Sequence, residues 1–157
     1  MFYGDSPPNG PNEGAVWTNA STGVVQIFQN GRWRGVAVAS ANPTQGVGYA
    51  TGAGGAVTQA SNKSTGVTLN TPTGVITMNG AALNGTTSVQ FTLTNSVIAA
   101  TDTVVVNLAS VNTAGSYFVS VDAVAAGSCV ISLRNYSGGA LSEAVVLNYA
   151  VVKAVSA

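Results

Sequence analysis

The sequence predicts an all-β protein built around an antiparallel β-sandwich, and three observations support that fold class. Runs rich in valine, isoleucine, tyrosine and phenylalanine recur roughly every 10 to 15 residues after position 56, as short strands do in such domains. Turn-forming pairs such as Asn79-Gly80 and Asn84-Gly85 separate these runs. No stretch shows a convincing helical period. The pattern fits a jelly-roll and an immunoglobulin-like topology equally well.

The amino-terminal part of the chain, residues 1–38, predicts an arm followed by a small β-meander. Residues 1–14 hold three prolines and three glycines, which favour an extended arm or successive turns. From Ala15 onward, three short apolar runs are separated by a polar turn and by Asn30-Gly31, a pair typical of a β-hairpin. We therefore expect a three-stranded meander over about residues 15–38.

Three aromatic residues and two arginines are the candidate binding residues of this meander. Trp17, Phe28 and Trp33 are too many rings for so short a sheet to leave in water, so we expect a miniature core. The alternative is a platform on which sugar rings stack. Arg32 and Arg34 are two positions apart on one strand and point to one face, where they could bind a partner's carboxylate or simply remain solvated.

Residues 39–56 predict a linker, because small residues and glycine fill this segment and no apolar period crosses it. The sandwich domain is expected over residues 57–157, with seven strands and an optional eighth at Ala56 to Gln59. These seven predicted strands are Val67 to Asn70, Val75 to Asn79, Ser88 to Thr94, Thr103 to Leu108, Ser116 to Val124, Ser128 to Asn135 and Ala144 to Lys153.

The last three runs are the strongest strand signals in the chain. The first two alternate between a more apolar and a more polar side, which predicts one buried face and one partly covered face. Cys129 falls on the inward side, where a thiol acts as a small hydrophobe. The final run is apolar on both sides of the strand: Val145 and Leu147 lie on one side, and Val146 and Val152 lie on the other. A central strand or a strand between subunits would explain that pattern, so Val146 and Val152 are also candidate partner-binding residues.

The composition excludes some partners. Only 6% of the residues are charged and the formal net charge is zero, so no long-range field attracts nucleic acid or an anionic membrane surface. An ordinary soluble domain carries about 25% charged residues. Uncharged polar side chains, or other subunits, must therefore cover the exposed surface. We expect both contributions.

Catalytic, cofactor and metal sites are not predicted. The chain has no histidine, which removes the commonest general base and metal ligand. The remaining carboxylates of the sandwich, Asp102, Asp122 and Glu143, are scattered over three β elements. Glu143 and Lys153 are expected to be ordinary surface charges, in preference to partners in an isopeptide crosslink. The glycine-rich run after Gly46 fits no phosphate-loop spacing.

Targeting segments are not expected either. No stretch approaches the roughly 20 apolar residues of a membrane span. The amino end lacks a basic and then apolar leader, so the sequence shows no secretory signal.

The stretch GDSPPNGPNEGAVWTNASTGVVQIFQNGRWRGV resembles a short module of bacteriophage virion proteins. The shared features are a proline-rich start, an apolar-Trp strand, a Thr-Gly turn, an aromatic strand and Asn-Gly-x-Trp, and they cover residues 4–36. The remainder, with GVGYATGAGGAVTQASNKSTGVTLN and SGGALSEAVVLNYAVVK, is similar in texture to domains of phage structural proteins, including small capsid-associated ones.

This resemblance implies a non-enzymatic virion component, made in the host cytoplasm and located on the capsid surface. A decoration, or cement, protein that binds the major capsid protein as a homotrimer and stabilises the head fits best. The alternative is a tail or head fibre module that binds a host-surface carbohydrate or receptor. Receptor-binding fibres usually have a long repetitive shaft, which this chain lacks, so the resemblance favours decoration.

Overall fold

A computed structural model describes residues 1–21, 25–35, 48–49 and 52–154 of the protein. The described residues confirm the predicted all-β class, since their strands form three sheets of four strands each. The chain divides into two compact units, Met1–Gly48 and Tyr49–Ala157. The first unit holds one of the sheets, and the second unit holds the other two.

The first unit is a four-stranded sheet in which the strands follow their order in the sequence. Its second, third and fourth strands are antiparallel, and the Asn30-Gly31 hairpin joins the last two. Both turn residues have positive φ, 51° and 71°, which is the conformation that an Asn-Gly hairpin turn requires. The strands are β1 (Phe2–Gly4), β2 (Val16–Asn19), β3 (Val25–Gln29) and β4 (Arg32–Gly35).

The prediction of a three-stranded meander preceded by an arm is wrong at its amino end. Phe2–Gly4 pairs in parallel with β2, so that Phe2 lies opposite Trp17. This segment precedes Pro7, and its main chain is therefore free of the restrictions that proline imposes on the residues around it. The expected turns do occur after it, for example where the Ala15 N–H donates to the Asn12 carbonyl. Residues 22–24 and 36–38 of the predicted meander lie outside the described part.

The second unit contains two sheets whose strands come from all along its length. One sheet has the order β5-β7-β12-β9, and the other has the order β10-β11-β8-β6. The strands are β5 (Gly54–Thr58), β6 (Val67–Thr68), β7 (Thr73–Thr77), β8 (Ser88–Thr94), β9 (Thr103–Ser110), β10 (Tyr117–Ala125), β11 (Ser128–Asn135) and β12 (Val146–Val152).

Strand β5 begins inside the segment 39–56 that was predicted as a linker. Its glycines fit a strand because they allow a close approach: a Cβ added at Gly55 would lie 2.8 Å from Leu69 Cδ1. The low apolar content of residues 39–56 therefore gave no strand signal, although the glycines of β5 allow tight packing. Most of the other linker residues, 39–47 and 50–51, lie outside the described part of the chain.

The prediction of a purely antiparallel sandwich is also wrong in detail. Strand β5 pairs with β7 in parallel, and β6 pairs with β8 in parallel, while the other strand pairs of this unit are antiparallel. Parallel neighbours need a connection that returns the chain to the same end of the sheet. Strand β6 lies between β5 and β7 in sequence but belongs to the other sheet, so the chain makes that return through the opposite layer.

Both sheets of the second unit contribute to one hydrophobic core, as a sandwich-like arrangement requires. Fully buried side chains come from one sheet through Ile76 and Leu147 and from the other through Leu93 and Ile131. The predicted inward position of Cys129 is confirmed, and burial raises the pKa of its thiol to about 11. Strand β12 lies between β7 and β9 as a central strand, and its Leu147, Tyr149 and Val151 side, with Val145 just before it, is buried in the core.

Candidate functional site

The outer face of the sheet β5-β7-β12-β9 exposes apolar side chains in neighbouring strands. We call Val75, Val105, Val146, Ala150 and Val152 the valine face. The register places Val105 opposite Ala150, and all five point away from the core-facing residues of their strands. Val105 is 44% exposed and Val152 is 53% exposed. Asn148 lies on the same face, opposite Val75, so the valine face presents apolar side chains to solvent with an asparagine among them.

No charged residue occurs in the four strands of this sheet, so threonine and asparagine supply the polar positions around the valine face. The nearest charges in the sequence are Asp102, directly before β9, and Lys153, directly after β12. The Lys153 Nζ lies 2.5 Å from Asp102 Oδ2 in an ion pair. Nothing electrostatic opposes the approach of a second neutral surface. The predicted partner-binding residues Val146 and Val152 both belong to this face, and their role in binding remains a prediction.

Trp17 and Phe28 each contact Trp33 on one face of the sheet of the first unit. The ring centroids of Trp17 and Trp33 are 5.9 Å apart, and those of Phe28 and Trp33 are 5.4 Å apart. Trp17 is buried, and its Nε1 donates a hydrogen bond to the Gly4 carbonyl at 3.1 Å. This geometry favours the miniature core over a sugar-stacking platform, because the Trp17 ring face is covered by protein.

Arg32 and Arg34 lie on the face of β4 opposite to Trp33, and both side chains are exposed. Neither forms an ion pair with another described residue. Two guanidinium groups on adjacent outward positions of one strand could accept a carboxylate partner in a two-pronged geometry. Their assignment as partner-binding residues is untested and stays a prediction.

The outer face of the other sheet, formed by β6, β8, β11 and β10, carries a group that the sequence analysis did not single out. Phe118 is 55% exposed and Tyr136 is 57% exposed. Their ring planes are nearly perpendicular, at 78°, with centroids 6.5 Å apart. The Arg134 guanidinium carbon lies 4.8 Å from the Tyr136 ring centroid. We call these three residues the aromatic patch.

Asp122 is the centre of a polar row beside the aromatic patch. Its carboxylate accepts hydrogen bonds from the Gln90 amide at 2.6 Å, from the Ser120 hydroxyl at 2.9 Å and from the Ser132 hydroxyl. These donors, led by Ser132, lower the pKa of Asp122. The carboxylate therefore stays ionised, and it lies on the solvent side of the sheet. We call Gln90, Ser120, Asp122 and Ser132 the polar row.

Glu143 was expected at the surface, but it is only 7% exposed. Its Oε2 accepts hydrogen bonds from the backbone N–H groups of Asn112 and Thr113. Burial pushes the pKa of Glu143 upward, but the hydrogen bonds from the backbone at residues 112 and 113 outweigh it, so the net direction is downward. The expectation failed because a carboxylate with backbone donors can be buried, and sequence does not reveal such donors.

Lys63 is the buried cation beside Glu143. Its Nζ donates to the carbonyl oxygens of Asn79 at 2.6 Å and of Glu143 at 2.5 Å. Burial lowers the pKa of Lys63, and the charge of Glu143 partly offsets that effect. Lys63 therefore connects its own loop to two other loops of the second unit, and both of its hydrogen bonds go to main-chain oxygens. We assign it a structural role.

The three carboxylates that were considered for catalysis occupy separate environments. Asp102 pairs with Lys153, Asp122 belongs to the polar row, and Glu143 is buried against the backbone at residues 112–113. Their hydrogen-bond partners do not overlap. Within the described residues, no three of histidine, cysteine, aspartate and glutamate come together as a metal-binding group. Among the same residues, no helix is long and apolar enough to cross a membrane.

Comparisons with known protein families, with curated proteins and with solved structures find no match to this chain.

Proposed function

We propose that this protein is a non-enzymatic component of a bacteriophage virion, a capsid decoration protein that binds the major capsid protein as a homotrimer. The observation that carries the proposal is the valine face, an exposed apolar surface inside a sheet without any charged residue. A surface of this kind favours permanent coverage by another protein, because apolar area removed from water stabilises a complex by about 25 cal/mol per Å².

The homotrimer is supported by two separate arguments. The valine face is self-complementary in chemistry, since it is neutral and made of small branched side chains, so a second copy of the chain can cover it without burying a charge. The threefold number comes from the resemblance of the chain to small capsid-associated phage proteins. A dimer would cover the same apolar area equally well, and the mass of the assembly therefore distinguishes the two arguments.

The sandwich topology that we propose is jelly-roll-like. Successive strands from β5 to β10 alternate between the two sheets, and only β10 and β11 form a hairpin within one sheet. Repeated crossing between layers is typical of jelly rolls, whereas immunoglobulin-like domains keep more sequential neighbours in one sheet. The parallel pairs β5–β7 and β6–β8 are a departure from both standard patterns.

The first unit is the part that we propose docks on the capsid. It has an aromatic core of three rings, and Arg32 and Arg34 are exposed on the opposite face. A carboxylate on the major capsid protein would match that pair of guanidinium groups. A small sheet of this size buries little surface on its own, so binding to a partner would add to its stability.

The test is attachment to particles. Washed particles should contain the protein in a fixed ratio to the major capsid protein, measured by quantitative mass spectrometry. A chain that lacks residues 1–38 should fold but fail to bind particles from which the protein is absent. A double variant, Arg32→Gln and Arg34→Gln, should bind such particles more weakly than the wild type does. Absence of the protein from washed particles would contradict the proposed function. Normal binding by the shortened chain would instead move the docking surface to the sandwich.

A further inference from the structure

We propose that the aromatic patch and the polar row together form a binding site for an acidic sugar, a pyranose that carries a carboxylate. In this site Arg134 holds the carboxylate, Phe118 and Tyr136 contact the ring, and the polar row meets the hydroxyl groups. The site lies on the outer face of the sheet β6-β8-β11-β10, which points away from the core. The valine face belongs to the other sheet. The inference goes beyond the proposed virion function and does not depend on it.

The aromatic rings supply the apolar contact. Phe118 and Tyr136 are each more than half exposed, although an isolated phenylalanine in an ordinary strand face would favour burial. Their nearly perpendicular planes offer one ring face and one ring edge to the same ligand. The C–H face of a pyranose is apolar and flat enough to pack against such a ring face.

Arg134 supplies a charge without a carboxylate partner. Its side chain is exposed on β11, and it forms no ion pair with a described residue. The Tyr136 ring at 4.8 Å holds the guanidinium through a cation–π contact and leaves the N–H groups free for a ligand. A planar guanidinium binds a carboxylate through two parallel hydrogen bonds, which favours an acidic ligand over a neutral one.

The strand register places the polar row at the right separation from Arg134. Phe118 lies opposite Arg134, and Ser120 lies opposite Ser132, which in turn lies opposite Gln90. The two rows are two residues apart along each strand, or about 6.8 Å at the usual rise. That distance is comparable to the width of one substituted pyranose ring, so a single sugar can reach both rows.

The chemistry of the polar row suits hydroxyl groups. Asp122 is ionised and can accept further hydrogen bonds, because a carboxylate has about four lone-pair sites and three are in use. Ser120 and Ser132 donate their hydroxyl hydrogens to Asp122, and their oxygens remain acceptors. A sugar has donors and acceptors on every carbon and can satisfy such a row.

The binding test uses the full-length protein, two acidic probes and their uncharged counterparts. Ligand-observed NMR titrations would compare digalacturonate with its methyl ester, and sialyllactose with lactose. We expect saturable binding of at least one acid, at least about tenfold tighter than binding of its counterpart. Arg134→Gln should remove that difference, and Phe118→Ala should weaken binding of the acid and its counterpart alike.

Two control variants separate this site from general effects. Arg34→Gln removes an exposed arginine from the other unit, and Thr92→Ala changes an exposed residue of the same sheet outside both rows. Both should bind the acidic sugar as the wild type does. Because Phe118, Arg134 and Thr92 are all exposed, each variant should keep the wild-type unfolding midpoint.

No saturable binding of either acid at about 10 mM, a concentration at which weak binding is still measurable, would overturn the proposal, and so would equal affinity for each acid and its counterpart. An Arg34→Gln variant that loses as much binding as Arg134→Gln would also overturn it. The fourth contrary outcome is a lower molecular mass of Phe118→Ala in light scattering. The last result would make the aromatic patch a protein interface. None of these outcomes bears on attachment to particles, so the proposed virion function is tested separately.

Discussion

The buried ammonium of Lys63 donates a hydrogen bond to the main-chain oxygen of Glu143, 80 positions later in the sequence, at 2.5 Å. Lys63 is only 3% exposed, and its second hydrogen bond reaches the Asn79 carbonyl. The carboxylate of Glu143 meanwhile accepts from backbone N–H groups at residues 112–113. Two charged residues of a chain that has very few of them therefore join four loops of the second unit.

Lys63→Met tests this link. Methionine keeps much of the volume but leaves two buried carbonyl oxygens without their donor, and each such loss costs about 1–3 kcal/mol. We expect the free energy of unfolding, measured by urea titration, to fall by at least that amount. Arg134→Met is the control, because Arg134 is exposed in the same unit, forms no ion pair with a described residue and should show a clearly smaller loss. Equal losses for both variants would show that burial of Lys63 adds nothing.

Tyr117→Phe tests the alkaline limit of stability. Burial, reinforced by the charge of Glu143, raises the pKa of Tyr117 to about 12, against about 10 in the unfolded chain. The folded state holds the proton more tightly, so this contribution is fully present below about pH 10 and is lost as the pH rises towards 12.

The wild type should therefore lose about 1 kcal/mol more than Tyr117→Phe between about pH 9 and pH 11. The variant has no proton to lose at this position. Urea titrations of both proteins at several pH values measure the difference. Near pH 8 the two should be of similar stability, because the Tyr117 hydroxyl has no hydrogen-bond partner of normal geometry. Parallel pH profiles would contradict this account.

Gly85→Ala tests the close approach between the segment before β8 and the segment before β12. A Cβ at Gly85 would lie 2.7 Å from main-chain atoms of Ser137, Gly138 and Gly139, which cannot move as a side chain can. We expect a loss of about 1–3 kcal/mol in the free energy of unfolding. Gly80→Ala is the control, since no atom lies within 4 Å of its added Cβ. Unchanged stability of Gly85→Ala would mean that this contact is looser than described.

Local sequence patterns were enough to predict most strands of the second unit. The run from Ser128 to Asn135 is β11, and its alternation correctly predicted the buried side that includes Ile131 and Leu133. Such patterns depend on the period-2 geometry of a strand, which neighbouring residues determine. They hold no information about which distant strand becomes the partner. The parallel pairing of β5 with β7 could therefore not be predicted from them.

The candidate sites show the same limit. Phe118 alternates with the buried Tyr117 side of β10, and an outward phenylalanine is a usable signal of a binding surface that the sequence analysis did not single out. Tyr136 follows the end of β11, so its contact with Phe118 depends on the register of the two strands. The burial of Lys63 gave no signal at all, because lysine is ordinarily exposed and its acceptors are main-chain oxygens that any sequence carries.

Coverage of the valine face by another copy of the chain is the central claim, and multi-angle light scattering of the purified protein tests it most directly. At micromolar concentration we expect three times the chain mass of 15.6 kDa. Val152→Asp should lower the mass, because a carboxylate buried between subunits costs more than the apolar contact gives. Thr92→Ala, on the other sheet, should keep the wild-type mass. A stable dimer would contradict the threefold number, and a monomeric wild type, or a Val152→Asp protein of unchanged mass, would contradict the claim itself.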